Sequence, residues 1–198
     1  YVVKYFATNE TALYDDTNTN TQWNNFQADI ADFLSAKDNV IGYVIEPETA
    51  MEGRDLTSSE VAGWNNAIKN ADPYAITGYT PFASIDSTTC NMANTDVIFT
   101  WAYPTSDFSS GSALSSKINS IRNYNSTKPI IVRETGVSTY DYSESDQSAY
   151  VRAIRNVCEE GSERIAGYCH WMSQDFDPYI FGGGSAGAWQ YSQASFGL

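Results

Sequence analysis

Pro129-Ile-Ile-Val-Arg-Glu-Thr-Gly136 opens on a residue that cannot donate to a β-ladder, runs through three β-branched apolar residues and closes near a carboxylate and a glycine. It reads as a short buried strand with an acid at its carboxyl end. Side chains on a strand alternate faces, so Ile130, Val132 and Glu134 are expected on one side and Ile131 and Arg133 on the other. An ionised acid beside a buried apolar strand is unfavourable unless it is paired, hydrated or used. Glu134 is therefore the first residue to explain.

The same kind of run recurs in both directions. Upstream lie Tyr1-Val-Val-Lys-Tyr-Phe-Ala7, Val40-Ile-Gly-Tyr-Val-Ile45, Tyr74-Ala-Ile-Thr-Gly-Tyr79 and Asp96-Val-Ile-Phe-Thr-Trp-Ala-Tyr103; downstream lies Ile165-Ala-Gly-Tyr-Cys-His-Trp171. Between them, apolar residues recur at helical spacing: Trp23, Phe26, Ile30, Phe33 and Leu34; Val61, Trp64 and Ile68 behind a capping box Thr57-Ser-Ser-Glu60; Leu114, Ile118 and Ile121; Val151, Ile154, Val157 and Cys158. Ser143-Glu-Ser-Asp146 reads as the cap of the last. Six strands with five intervening helices predict one α/β domain over residues 1–198, with a parallel sheet that is either open or most of a closed barrel. An open sheet that binds a nucleotide carries a Gly-rich turn after its first strand, and none is present; Gly182-Gly-Gly-Ser185 falls late and starts no helix.

Composition narrows the partners. With 24 acidic against 11 basic residues and a net charge of -13, nucleic acid and anionic membrane surfaces would be repelled. No run approaches the ~20 apolar residues of a membrane span. One histidine, His170, and three scattered cysteines make no metal cluster, and no cofactor is expected. By alternation His170 faces away from Trp171 and reads as a packing residue. Aromatic residues make up 14% of the chain and many fall in polar segments, which places some rings where they can stack on sugars. An odd cysteine count leaves one thiol unpaired; Cys158 and Cys169 form a disulfide candidate if their helix and strand are neighbours. Asn9-Glu-Thr11 and Asn125-Ser-Thr127 match the N-glycosylation pattern, and with the acidic, Lys-poor composition they predict a secreted, extracellular glycoprotein.

In a parallel barrel the chemistry sits at the carboxyl ends of the strands, where Glu46, Glu134 and Trp171 fall. Two facing carboxylates are the minimum equipment for glycoside hydrolysis, one protonating the leaving oxygen and the other attacking the sugar or activating water. Each glutamate taken alone reads equally as an exposed strand-end acid.

A family resemblance adds to this. Pro129-Ile-Ile-Val-Arg-Glu134-Thr-Gly136 resembles the seventh-strand nucleophile segment of clan A of the retaining (β/α)8 glycosidases, which includes many cellulases, mannanases and β-glucanases. Val40-Ile-Gly-Tyr-Val-Ile-Glu46-Pro47-Glu48 is similar to the clan's fourth strand, which ends in Asn-Glu-Pro. Asp96-Val-Ile-Phe-Thr-Trp-Ala-Tyr103 resembles its sixth, whose terminal tyrosine bonds the nucleophile. Gly167-Tyr-Cys-His-Trp171, followed by Asp175-Phe-Asp177, is similar to its eighth.

The resemblance implies a TIM-barrel-like chain of six βα units, strands 3 to 8, that cleaves a β-linked polysaccharide or oligosaccharide with retention. Glu134 would be the nucleophile, Glu46 the acid/base, Tyr103 the residue orienting Glu134, and Trp171 with Trp101 the sugar platform. Two departures stand. Ile45 occupies the clan's asparagine position, with Glu48 the alternative acid if the register shifts. The first two βα units fall before Tyr1, so another chain or segment would complete the barrel. The alternative is a non-catalytic glycan-binding or structural extracellular protein built on the same barrel.

Overall fold

The computed structural model describes residues 2–3, 17–37, 39–45, 56–81, 84–92, 94–104, 106–161 and 165–170. All six expected strands are present: β1 Val2–Val3, β2 Gly42–Ile45, β3 Ile76–Tyr79, β4 Val97–Ala102, β5 Ile130–Thr135 and β6 Ile165–His170. They are neighbours in chain order, β1-β2-β3-β4-β5-β6, and the recorded pairs β1–β2, β2–β3, β3–β4 and β5–β6 are parallel. Parallel neighbours require a crossover between them, which the helices supply. These are α1 Thr17–Ser35, α2 Ser58–Ala71, α3 Ser112–Tyr124 and α4 Glu144–Arg155, the last running on into a π-helical turn, Asn156–Glu160. No described helix is long and apolar enough to cross a membrane.

Four α-helices are found among the described residues where five were expected. Between β3 and β4, where the sequence reads as a polar stretch around Cys90, the described residues hold a 3-10 turn, Thr89–Asn91. Its sequence explains this: Asp86 Oδ1 accepts the backbone N–H of Thr88 at 2.8 Å and of Thr89 at 2.9 Å, and Thr89 Oγ1 donates to Ser84 O at 3.0 Å. Short polar side chains thus capture the backbone locally.

The chain forms two compact units. The first holds Tyr1–Phe99 and Ile121–Pro129, the second Thr100–Ser120 and Ile130–Leu198. In the first unit, β2 is buried along its length and packs Tyr43 and Ile45 against Val61, Trp64 and Ile68 of α2, with Leu56, Tyr79 and Met92 completing the core. The α2 cap is the expected box: Glu60 N–H donates to Thr57 Oγ1 at 3.3 Å and Thr57 N–H to Glu60 Oε2 at 2.6 Å. The helix closes with Asp72 N–H on Ile68 O at 2.7 Å, before Pro73.

Helix α1 departs from its expected face. Gln27 and Ala31 are buried, whereas Phe26 and Phe33 are 44% and 68% exposed. A methyl at position 31 lets the helix backbone approach β2 closely enough for Tyr43 OH to donate to Ala31 O at 3.3 Å, and that approach orients the helix more strongly than the larger rings do. In the second unit, α4 buries Gln147, Tyr150, Ala153 and Ile154, so Val151, Val157 and Cys158 lie at the margin of its buried face and not at its centre.

Candidate active site

Strands β4 and β5 deliver the candidate residues of the second unit. Tyr103 follows the last residue of β4 and Glu134 is the penultimate residue of β5. Tyr103 OH donates to Glu134 Oε2 at 3.1 Å, and Arg133 Nη1 donates to Glu134 Oε1 at 2.5 Å. Each carboxylate oxygen therefore has its own donor. The Arg133 and Glu134 side chains are only 8% and 16% exposed, so little water screens the pair.

Strict alternation would have sent Arg133 and Glu134 to opposite faces. Against β6, however, Val132 pairs with Tyr168 and Thr135 with His170, so β5 advances three residues while β6 advances two. The extra residue is a bulge, which leaves part of the strand outside the ladder and re-aims its side chains. At that irregularity the side chains of neighbouring residues 133 and 134 meet.

Burial, and then the adjacent Glu134 charge, hold the Tyr103 hydroxyl well above the ordinary tyrosine range. Tyr103 is therefore a protonated donor throughout the neutral range. Beneath the pair, Thr135 Oγ1 donates to Ala102 O at 2.8 Å, Tyr150 OH reaches the same carbonyl at 3.2 Å, and the two hydroxyls lie 3.0 Å apart. Burial pushes Tyr150 up to about 12. A cavity of about 190 Å³ borders Tyr103 and Pro104 and is lined otherwise by Ser106, Asp107, Ser112, Ala113 and Ser116.

Trp101 lies with its ring centroid 6.0 Å from that of Tyr103, and the Lys117 ammonium of α3 sits 3.4 Å from the Trp101 centroid. One face of the ring expected to serve as a sugar platform is thus occupied by a cation. Glu46, Glu48, Trp171 and Asn9 lie outside the described residues. Ile45, at the position of the clan's asparagine, is 1% exposed and belongs to the first unit's core.

The three cysteines are free thiols, so the Cys158–Cys169 pairing is not formed. Cys158 sits half-buried in the π-helical turn, where burial raises its thiol to about 11, and Cys169 is exposed on β6. Asn125 is buried; its Nδ2, the atom to which a glycan would be joined, donates to Cys90 O at 3.1 Å and Asn91 Oδ1 at 2.8 Å. A glycan on that nitrogen replaces one of its two hydrogens, so at least one of these bonds must break. No group of three or more potential metal ligands occurs among the described residues.

Sequence reasoning brought together Glu134 and Tyr103, and the structure does so too. It missed Arg133, Thr135 and Tyr150. Arg133 carried a usable signal, a guanidinium within an apolar strand that demands a counter-ion; the other two carried none, being an ordinary hydroxyl and an ordinary helix aromatic.

Parallel strands in chain order, crossover helices and a paired carboxylate at a strand's carboxyl end define a TIM-barrel-like α/β chain, not an open nucleotide-binding sheet. Solved structures bear out that class. A GH5_18 protein from Streptomyces cattleya, solved with Manβ1-4GlcNAc, matches with a TM-score of 0.69 at 13% identity, over 94% of this chain and 50% of its own. A glycoside hydrolase family 5 mannosidase from Rhizomucor miehei gives 0.66 at 13% identity, over 94% and 56%. A β-glucuronidase from Bacteroides uniformis gives 0.65 at 13% identity, over 89% and 26%. The chain spans about half the length of the first two and a quarter of the third, and at these identities the likeness is one of fold. No family model and no curated protein matches the sequence.

Proposed function

We propose that this chain carries the catalytic face of a glycoside hydrolase that cleaves β-linked polysaccharide or oligosaccharide with retention. The observation that supports it best is the Glu134 carboxylate, held on one oxygen by Tyr103 and on the other by Arg133 near the end of β5. A nucleophilic carboxylate must be aimed at the anomeric carbon, and two donors on separate oxygens hold its direction. In this reading Glu134 attacks the anomeric carbon. Glu46 protonates the leaving glycosidic oxygen and then, as base, takes a proton from the water that releases the sugar. Retention requires the two carboxyls to stand about 5 Å apart. The protein is proposed to be secreted, to take a neutral carbohydrate, and to have its barrel completed by a further segment or chain.

Glu134→Gln tests the reading, because it keeps the shape and removes the negative charge. Hydrolysis of a β-linked oligosaccharide should fall by at least about 10³-fold, the order expected when a nucleophile is removed. Proton NMR of the first-formed product should show retained anomeric configuration. Full activity in Glu134→Gln overturns the proposal.

A second reading draws on Ile45. If Ile45 stands where the resemblance sets the clan's asparagine, a buried core side chain takes the place of a polar one, which fits a glycan-binding barrel without turnover. Oligosaccharide binding by calorimetry, with no product after prolonged incubation, would favour it.

A further inference from the structure

Two residues flank the candidate pair, one on each strand: Ala102 precedes Tyr103, and Thr135 follows Glu134. Three buried groups converge there from three elements, namely the Ala102 carbonyl of β4, the Thr135 hydroxyl of β5 and the Tyr150 hydroxyl of α4. Thr135 and Tyr150 are fully buried. One proton on each hydroxyl satisfies two of the three contacts at a time. Either both donate to Ala102 O, or one donates to the carbonyl and the other to its neighbour's oxygen.

We infer that Thr135 and Tyr150 are positioning residues that set the separation of Tyr103 and Glu134, a role that rests on the hydrolase reading above and deepens it. The Ala102 carbonyl lies in the same rigid peptide plane as the Tyr103 nitrogen, so fixing its direction fixes the plane from which Tyr103 departs. Thr135 is one Cα step, ~3.8 Å, from Glu134. A bond from Thr135 to Ala102 therefore ties the two strand ends one residue away from the two functional side chains.

The register shift gives this tie its place. On the β6 side the pairing slips between Val132 and Thr135, so after Val132 the next residue of β5 in register with β6 is Thr135, opposite His170. Helix α4 is itself fixed where it delivers Tyr150. Ser143 and Asp146 cap it reciprocally, both at 3.1 Å, and Gln147 Nε2 donates to Val137 O at 3.0 Å, two residues beyond the end of β5.

The test uses Thr135→Val and Tyr150→Phe, which keep shape and remove one hydroxyl each, with Thr135→Ser as the variant that restores it. Kinetics on a β-linked oligosaccharide and a crystal structure are obtained for each variant and for the unaltered protein. Expected are a fall in kcat of roughly tenfold or more in Thr135→Val, as for a displaced catalytic group, a KM within about twofold, and recovery in Thr135→Ser. The Tyr103–Glu134 hydrogen bond should open in both hydroxyl-less variants. A drop in Tm with kcat unchanged, or a retained Tyr103–Glu134 bond, overturns the inference. Failure of Thr135→Val to fold leaves Tyr150→Phe to decide. If the unaltered protein hydrolyses nothing, the hydrolase reading falls by itself, and the crystallographic separation still decides the clamp.

Discussion

Tyr103 contributes a single proton to the candidate site, and burial keeps that proton in place. Tyr103→Phe removes the donor to Glu134 Oε2 while keeping the ring, and it leaves Arg133 on Oε1. We expect kcat to fall about 10- to 10²-fold, the scale of a lost hydrogen bond to a charged group in a shielded site, with KM little changed. Steady-state kinetics on the unaltered substrate check this. At the residue scale the sequence made Glu134 legible because it stands at a strand end, where a parallel barrel keeps its chemistry, and Tyr103 through the resemblance of its strand to one that ends in tyrosine. Arg133 could not be placed, because a bulge is a property of two strands in register and leaves no mark in one of them. Thr135 stayed hidden for a related reason, since its partner Ala102 is a carbonyl, and carbonyls are the same at every position.

Among the elements, the strands were the easiest to read. Unbroken β-branched and aromatic runs such as Val97–Ala102 have few alternatives to a strand buried on both faces. The buried face of α1 was harder, because ring size pointed to Phe26 and Phe33 while the demand for close approach selected Ala31. A small residue also governs β3. A Cβ at Gly78 would overlap the Phe99 ring and meet Val97 Cγ2 at 2.5 Å, both on β4. Gly78→Ala should therefore destabilise the chain by about 1–3 kcal/mol through overpacking. Chemical denaturation should show a lower midpoint with an unchanged slope. Between β3 and β4 the local order has a cause that composition alone does not reveal, the capture of two N–H groups by Asp86.

For the molecule as a whole, buried tyrosines set a limit on alkaline stability. Tyr43, Tyr103 and Tyr150 all have hydroxyls raised above the ordinary value of 10.0, Tyr43 and Tyr150 to about 12 and Tyr103 further, with burial the leading cause in each. Above pH 10 the unfolded chain releases these protons and the folded chain keeps them, so stability intact below pH 10 is lost as pH rises. The slope is about 1.4 kcal/mol per pH unit for each tyrosine. Thermal melts from pH 8 to 12 should show Tm steady at first and falling steeply beyond pH 10. The division of the chain into two units has a practical meaning of another kind. The boundary passes between Phe99 and Thr100, Ser120 and Ile121, and Pro129 and Ile130, cutting β4 and α3 internally. Neither unit is a continuous stretch of polypeptide, so no single proteolytic nick and no simple truncation releases one of them whole. A shortened gene ending at Phe99 or Ser120 would encode part of a strand or helix whose remainder lies on the far side of the cut.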